Sequence, residues 1–288
     1  MSNSTNRLDP TAAIDRHYGS SDLTERILDA LREAGKNIEN LRREDLSGFD
    51  EFHAGGLGAT REMALFAEIL PEDAVLDLGS GIGGPARTLA SEFGCTVTGL
   101  DITTSFCDAA RELSHRLNMG DKVEFVCADA VEMPLPSERY DAVWAQYSLP
   151  NIKRQRALFE QVYRVLKPGG SFVFETLCQG PAGEIHLPVF WAAEPQNNHI
   201  QTPADTRRDL IAAGLSEIAF EDVTEHVLIA ARRRLASAQT QEGAAALWLG
   251  LIVPRDARVK MANSIRNSDE GRTLVFRGHF RKPTSIDA

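Results

Sequence analysis

The sequence predicts an α/β fold: a mostly parallel sheet with helices on both faces. Three observations predict it. From residue 74 to 176, apolar runs of strand length alternate with stretches of helical spacing, the pattern of strands joined by crossover helices. The first run, 74–78, has no helical period and stops at glycines, as a buried strand does. Gly79, Gly81 and Gly84 then give G-x-G-x-x-G before a helix that starts near Gly84. Glycines there permit a tight turn and let the backbone approach a ligand.

Each element has its own signal. Residues 1–20 are polar and expected to be loose, apart from His17-Tyr18-Gly19. Ser21 or Asp22 can cap a helix over 22–34, with Leu23, Ile27, Leu28 and Leu31 on one face. A shorter helix is expected near 38–46. Residues 48–58 read as a loop with aromatics between glycines, and 59–70 as a helix with Met63, Phe66 and Leu70 on one side. Beyond the glycine loop come helix 84–93, strand 95–101, helix 103–118, strand 122–127, strand 140–145, helix 153–166 and strand 171–176. Their crossovers should be right-handed. Residues 178–202, rich in Pro, Gly, His and aromatics, break the regularity. Helix 203–213, a strand over 216–224, helical sequence over 227–268 and a last strand at 273–280 complete the chain.

With 288 residues, 43% of them hydrophobic, the chain can form one large domain or a domain with a cap. The expected division is an N-terminal helical lid, 1–58, and a ligand-binding domain, 59–288, with cap insertions near 178–202 and 227–268. No apolar run approaches the roughly 18 residues of a membrane span. The N-terminus lacks the apolar core of a signal peptide, so a cytoplasmic protein is expected. The net charge of −10 argues against a nucleic-acid partner, which calls for a basic footprint. Four cysteines form no C-x-x-C pair. Cys95 and Cys127 fall in expected buried strands, so the cysteines read as reduced core residues and no metal site is expected.

Asp77 decides among the ligands that a glycine loop admits. A dinucleotide would place its phosphates over this loop, at a helix N-terminus. A carboxylate there repels them, and residues 79–84 contain no Lys or Arg. A cationic ligand is favoured, and S-adenosyl-L-methionine carries a sulfonium and an ammonium but no phosphate. No Lys-Ser or Lys-Thr follows the glycines, which excludes a P-loop. In such a sheet the ligand lies at the carboxyl ends of the strands. Asp101 closes the second strand, 22 residues beyond Gly79, where a carboxylate can accept from ribose hydroxyls. Ile102 can lie against adenine. Asp129 follows the third strand and can accept from an adenine amine. Gln146 follows the fourth.

The stretches Val75-Leu-Asp-Leu-Gly-Ser-Gly-Ile-Gly-Gly84, Gly99-Leu-Asp-Ile102, Cys127-Ala-Asp-Ala130, Tyr140-Asp-Ala-Val-Trp144 and Val165-Leu-Lys-Pro-Gly-Gly170 occur in this order. Together they resemble the class I S-adenosylmethionine-dependent methyltransferases. The resemblance implies a Rossmann-like sheet of seven strands, the last antiparallel, with helical cap elements. It also implies a cofactor site of Asp77, Gly79, Ser80, Gly81, Asp101, Ile102, Asp129, Ala130 and Gln146. Within the class, Phe49-Asp-Glu-Phe-His-Ala-Gly-Gly56 and the sequence through 226 are similar to a bacterial small-molecule branch that includes sarcosine and dimethylglycine N-methyltransferases.

The expected activity is therefore methyl transfer to a small molecule, an amine first. Oxygen or carbon acceptors, and transfer or cyclisation of the cofactor's aminobutyrate moiety, stay open. A nicotinamide-dependent oxidoreductase and a non-catalytic binding module are the rivals. The catalytic residue is not legible; His53, Tyr18 and Tyr147 are candidates. Trp191, Tyr147 and His53 are candidates for substrate contact, Trp191 through cation–π attraction. Each has a plainer reading. Asp129 can simply cap a helix, His53 can be a surface histidine, and Phe190-Trp191 can be packing. Segments 17–58, 178–202 and 227–268 are expected to close over the ligand as a lid, against the alternative of a static cap. The oligomeric state stays open, a homodimer among the options.

Overall fold

A computed structural model describes residues 22–46, 49–240 and 257–284. Seven strands form one sheet in the order β3-β2-β1-β4-β5-β7-β6. β1 (Ala74–Leu78) pairs in parallel with β2 (Thr96–Asp101) and β4 (Tyr140–Gln146). β3 (Val123–Cys127) extends the sheet beyond β2, and β5 (Leu166–Gln179) beyond β4, both parallel. β7 (Thr273–Arg281) runs antiparallel between β5 and β6 (Ser216–Asp222). This is the seven-stranded sheet with an antiparallel last strand that the motifs imply. The strand order reverses between β1 and β4, and the carboxyl end of β1 carries Asp77.

Burial explains the central strands. Val75, Leu76 and Leu78 of β1 and Val143, Trp144 and Ala145 of β4 are buried, as continuous apolar runs in a doubly covered parallel sheet must be. One face packs Leu76, Val143, Phe172 and Phe280 against Leu158, Phe159 and Val162 of α6 (Gln155–Val165). The other packs Val75, Val97, Trp144 and Val173 against Met63 and Ala64 of α3 (Gly56–Phe66) and Ala86 of α4 (Gly84–Thr88, continued by a wider turn, Leu89–Phe93). A third cluster joins α1 (Leu23–Glu33) to α5 (Thr104–Arg116) through Ile27, Leu31, Phe106 and Leu113. It also takes in Leu46 of α2 (Arg43–Leu46), Phe49 and Ile82, so the N-terminal segment sits over the glycine loop. The remaining helices are α7 (Pro203–Ala212), α8 (Thr224–Thr240) and α9 (Ala257–Asp269).

Several boundaries differ from the sequence reading. α3 begins at Gly56 and ends at Phe66, because Glu68 turns the chain with φ 55° and Leu70 is left exposed. β5 is much longer than 171–176, since β7 pairs with it from Ser171 to Gln179. Part of the helical stretch 227–268 lies outside the described residues. Cys127 is exposed rather than buried, because it is the last residue of the edge strand β3; Cys95, Cys107 and Cys178 are buried, and all four are free. Among the described residues no helix is long and apolar enough to cross a membrane.

Candidate cofactor and acceptor site

The glycine loop is shaped by contacts that exclude side chains. The N–H groups of Gly79 and Ser80 both donate to Leu100 O, at 2.7 and 3.1 Å, folding the loop back on β2. A Cβ at Gly84 would stand 2.0 Å from the backbone oxygen of Asp50, so the loop before α3 could not cross here over any other residue. Gly81 differs: its φ is +53° and a Cβ would meet nothing within 4 Å. That position offers bare backbone to open space, where a ligand can approach.

Around this loop the expected cofactor residues come together. Asp101 Oδ2 accepts from Gly81 N at 2.9 Å and Oδ1 from Thr103 N at 2.8 Å. Burial raises its carboxyl above the usual range. Asp77 is 2% exposed, and its Oδ2 has no hydrogen-bond partner among the described residues. Burial, with the charges of Glu51 and Asp101 behind it, pushes its carboxyl up to about 8. Ser80 Oγ is also buried and unpartnered. Gln146 Oε1 accepts from Trp144 Nε1 at 3.1 Å and lies 3.1 Å from Thr60 Oγ1, whose one proton goes to Glu51. Since indole only donates, this fixes the amide and leaves Nε2 buried without a partner. Ile102 follows Asp101, half-buried. Asp129 caps the turn Ala130–Glu132, accepting from Val131 N at 3.0 Å, and its other oxygen lies 3.8 Å from Arg154.

The substrate candidates separate. His53 is no surface histidine: its side chain is 3% exposed. Its Nε2 lies 3.2 Å from Glu51 Oε2 and 3.1 Å from Thr60 Oγ1. Its ring stacks on Tyr147, with centroids 6.0 Å apart and planes within 8°. Tyr147, directly after β4, has φ 57°, a backbone region that a bulky residue rarely adopts. Its hydroxyl is buried, and burial, then the charge of Glu175 and a hydrogen bond to it, raises it well above the usual phenol value. Trp191 instead packs with Val189 and Ala192 and donates its indole N–H to Asn198 at 2.9 Å. Its neighbour Phe190 meets Phe52 edge-on at 5.9 Å. Tyr18 lies outside the described residues.

A buried ionic cluster holds the N-terminal segment over the site, and motif reading alone missed it. Arg43 donates to both oxygens of Asp50 at 3.0 Å, to Glu51 Oε1 at 2.9 Å and to Gly84 O at 3.2 Å. Arg87, fully buried, donates to Asp50 Oδ2 at 2.8 Å. Glu51 also accepts from Thr60 at 2.9 Å and from Thr88. Burial would raise Glu51; the hydrogen bond and charge of His53, with Thr88 and Arg43, outweigh it and hold the carboxyl at about 2. The available signal was Arg87 itself, a charge set among Ala86, Leu89 and Ala90 on a buried helix, where it requires a partner.

The family described as a methyltransferase domain matches from residue 76 to residue 174. Residues 76–174 are thus similar to a methyltransferase domain. The match begins in β1 and ends in β5, so this domain contains the glycine loop and the strand ends just described. The chain is 30% identical over 209 residues to a glycine/sarcosine/dimethylglycine N-methyltransferase of Actinopolyspora halophila, covering 72% of this chain and 36% of that one. It is 28% identical over 220 residues to phosphoethanolamine N-methyltransferase 3 of Arabidopsis thaliana, covering 76% and 44%. The chain thus spans less than half the length of these two relatives. Among solved structures, phosphoethanolamine N-methyltransferase 2 of Haemonchus contortus superposes with a TM-score of 0.71 at 21% identity, over 96% of this chain and 61% of that one. That likeness establishes the fold.

Proposed function

We propose that the chain is an S-adenosyl-L-methionine-dependent methyltransferase whose acceptor is a small amine. The observation that carries this is Asp77: a fully buried carboxyl with one unpartnered oxygen, beside the bare backbone of Gly81. A cation satisfies that oxygen and an anion does not. Nicotinamide dinucleotides are disfavoured on the same ground.

The residues present fit the cofactor. Asp101 keeps acceptor capacity beyond its bonds to Gly81 and Thr103 and would take the ribose hydroxyls. Ile102 and Ala130 would flank the adenine, with Asp129 near its amine. Asp77, Ser80 Oγ and Gln146 Nε2, all buried and unpartnered, would meet the polar groups of the amino-acid end. When bound, the cofactor supplies a methyl carbon already activated by its sulfonium.

The chain's own tasks are then alignment and exclusion of water. Alignment alone can supply up to roughly 7–11 kcal/mol. Tyr147 and His53, stacked at the carboxyl end of β4, would position the acceptor. Tyr147, its hydroxyl kept protonated by burial and Glu175, would hold the acceptor through its oxygen rather than act as a base. The described part of segment 1–58 would serve as the cap, with the ionic cluster of Arg43, Asp50, Glu51 and Arg87 as its clasp. The amine assignment draws on the N-methyltransferases among the relatives. A chain of net charge −10 suits a small molecule in the cytoplasm better than a nucleic acid.

Mass spectrometry after incubation with S-adenosylmethionine and a panel of amines, amino acids, phenols and keto acids tests this. A methylated amine is expected. Methylation of a phenol or keto acid with every amine inert removes the amine assignment, and failure to bind the cofactor removes the whole reading.

A further inference from the structure

The carboxyl rim of the sheet carries a row of polar side chains that cofactor binding does not use up. Strand register places Gln146 of β4 opposite Glu175 of β5, and Glu175 opposite Arg277 of β7. Glu175 is 0% exposed. Arg277 holds its Oε2 with two N–H groups, Nε at 3.0 Å and Nη2 at 2.8 Å. Oε1 is buried and takes no donor from Arg277, and the neighbouring Tyr147 hydroxyl, also buried, lies within hydrogen-bonding reach of the Glu175 carboxylate. Tyr147 N donates to Glu175 O at 2.8 Å, and its φ of 57° turns the chain immediately after β4.

We infer that Glu175 Oε1, with the Tyr147 hydroxyl beside it, binds the ammonium group of the acceptor. The inference rests on the amine reading above and names the group that selects for it. A buried carboxylate oxygen with at most one phenol to serve it lacks much of the compensation that burial of a charged atom normally requires. An ammonium N–H supplies it, and a carboxylate or phenolate acceptor would instead be repelled. Local charge points the same way. Glu62 lies 3.7 Å from Arg277. Glu175 and Glu62 carry two negative charges against the one positive charge of Arg277, so the group is one positive charge short of neutral. His226, 2.8 Å from Glu62, faces that residue rather than Glu175. Arg277 also fixes the Glu175 rotamer, so Oε1 is held in place before a ligand arrives. A cavity of about 60 Å³ lined by Gly55, Gly58, Glu62, His226 and Arg277 borders the Arg277 end of the pair.

The test compares the intact wild-type chain with Glu175→Gln and Tyr147→Phe, using sarcosine, dimethylglycine and phosphoethanolamine as acceptors and S-adenosylhomocysteine as the cofactor probe. For whichever amine the wild type methylates, Glu175→Gln should raise KM between about 10- and 100-fold, the range for a lost hydrogen bond to a charged group. Affinity for S-adenosylhomocysteine should stay within about twofold. Tyr147→Phe, which removes one oxygen and leaves the Glu175–Arg277 pair intact, should raise KM by a smaller factor and decides the matter if Glu175→Gln does not fold. Unchanged KM in the folded variants overturns the subsite while leaving the amine reading in place. Equal weakening of amine and S-adenosylhomocysteine marks a structural role and also overturns it. A wild type that methylates none of the amines but does methylate a phenol defeats the amine reading, and this subsite with it.

Discussion

Replacing Asp77 with asparagine should stabilise the ligand-free protein at alkaline pH and at the same time impair cofactor binding. Asp77 is 2% exposed, and Glu51 and Asp101 add like charge around it. Its carboxyl stands at about 8 in the folded chain, against an ordinary value of 3.8. Between those values the folded chain holds a proton that the unfolded chain has lost, so stability falls as pH rises. The contribution is complete below pH 4 and is lost as pH climbs to about 8. At about 1.4 kcal/mol per decade, the interval is worth on the order of 5 kcal/mol. Urea unfolding of the wild type from pH 5 to 9 should show this decline, and Asp77→Asn should largely abolish it. Cofactor binding has the opposite sign. A cation beside Asp77 favours the carboxylate, so at pH 7 close to one proton should leave per ligand bound, and affinity should rise by up to about tenfold per pH unit until pH 8. Calorimetry in buffers of different ionisation enthalpy counts that proton. Parallel stability curves for the two proteins, together with buffer-independent binding heats, would refute the reasoning.

Asp101→Ala should weaken S-adenosylhomocysteine binding by about 1.5–3 kcal/mol, the loss of a hydrogen bond to a charged group; calorimetry showing unchanged affinity counts against its assignment. Arg87→Met leaves Asp50 with one buried cation fewer and should cost about 3–5 kcal/mol in urea unfolding, whereas a change under 1 kcal/mol would mean that the cluster contributes little. Hydrogen exchange should be slow at Asp50, Glu51 and His53 with or without S-adenosylhomocysteine, because ion pairs already clasp this stretch; strong slowing only with ligand would favour the closing lid over the static cap.

The sheet was legible because each strand–helix unit carries its own local signal. The apolar run 74–78, the glycines after it and the Lys167-Pro-Gly-Gly170 break need no distant partner to be read. The candidate cofactor residues could be placed for the same reason: they sit at strand ends, and their spacing is set by the units themselves. The cap was not. Arg43 reaches Thr88 across 45 residues and Thr60 reaches Gln146 across 86, and nothing in either short stretch announces the other. Trp191 shows the opposite failure. Its aromatic ring suggested a ligand contact, but Asn198 takes its N–H and its ring is 7% exposed among apolar neighbours. Glu175 was readable as a carboxylate on a strand, but which oxygen is left unheld emerges only from pairing with Arg277, 102 residues away.

The crossing of Asp50 over Gly84 bears on ligand choice by shape as well as by charge. In a dinucleotide enzyme, the first turn of the helix after the glycine loop must stay open to receive two phosphates. Here residues Gly84 through Thr88 are all buried, and the carbonyl of Asp50 occupies the space that a side chain at Gly84 would need. The chain has roofed that turn with its own backbone. A ligand is left with the edge of the loop at Gly81, where the backbone faces open space, and the roofed turn offers no berth for a pyrophosphate. The N-terminal segment thus acts as a template, fixing the outline of what can bind before any electrostatic preference is expressed.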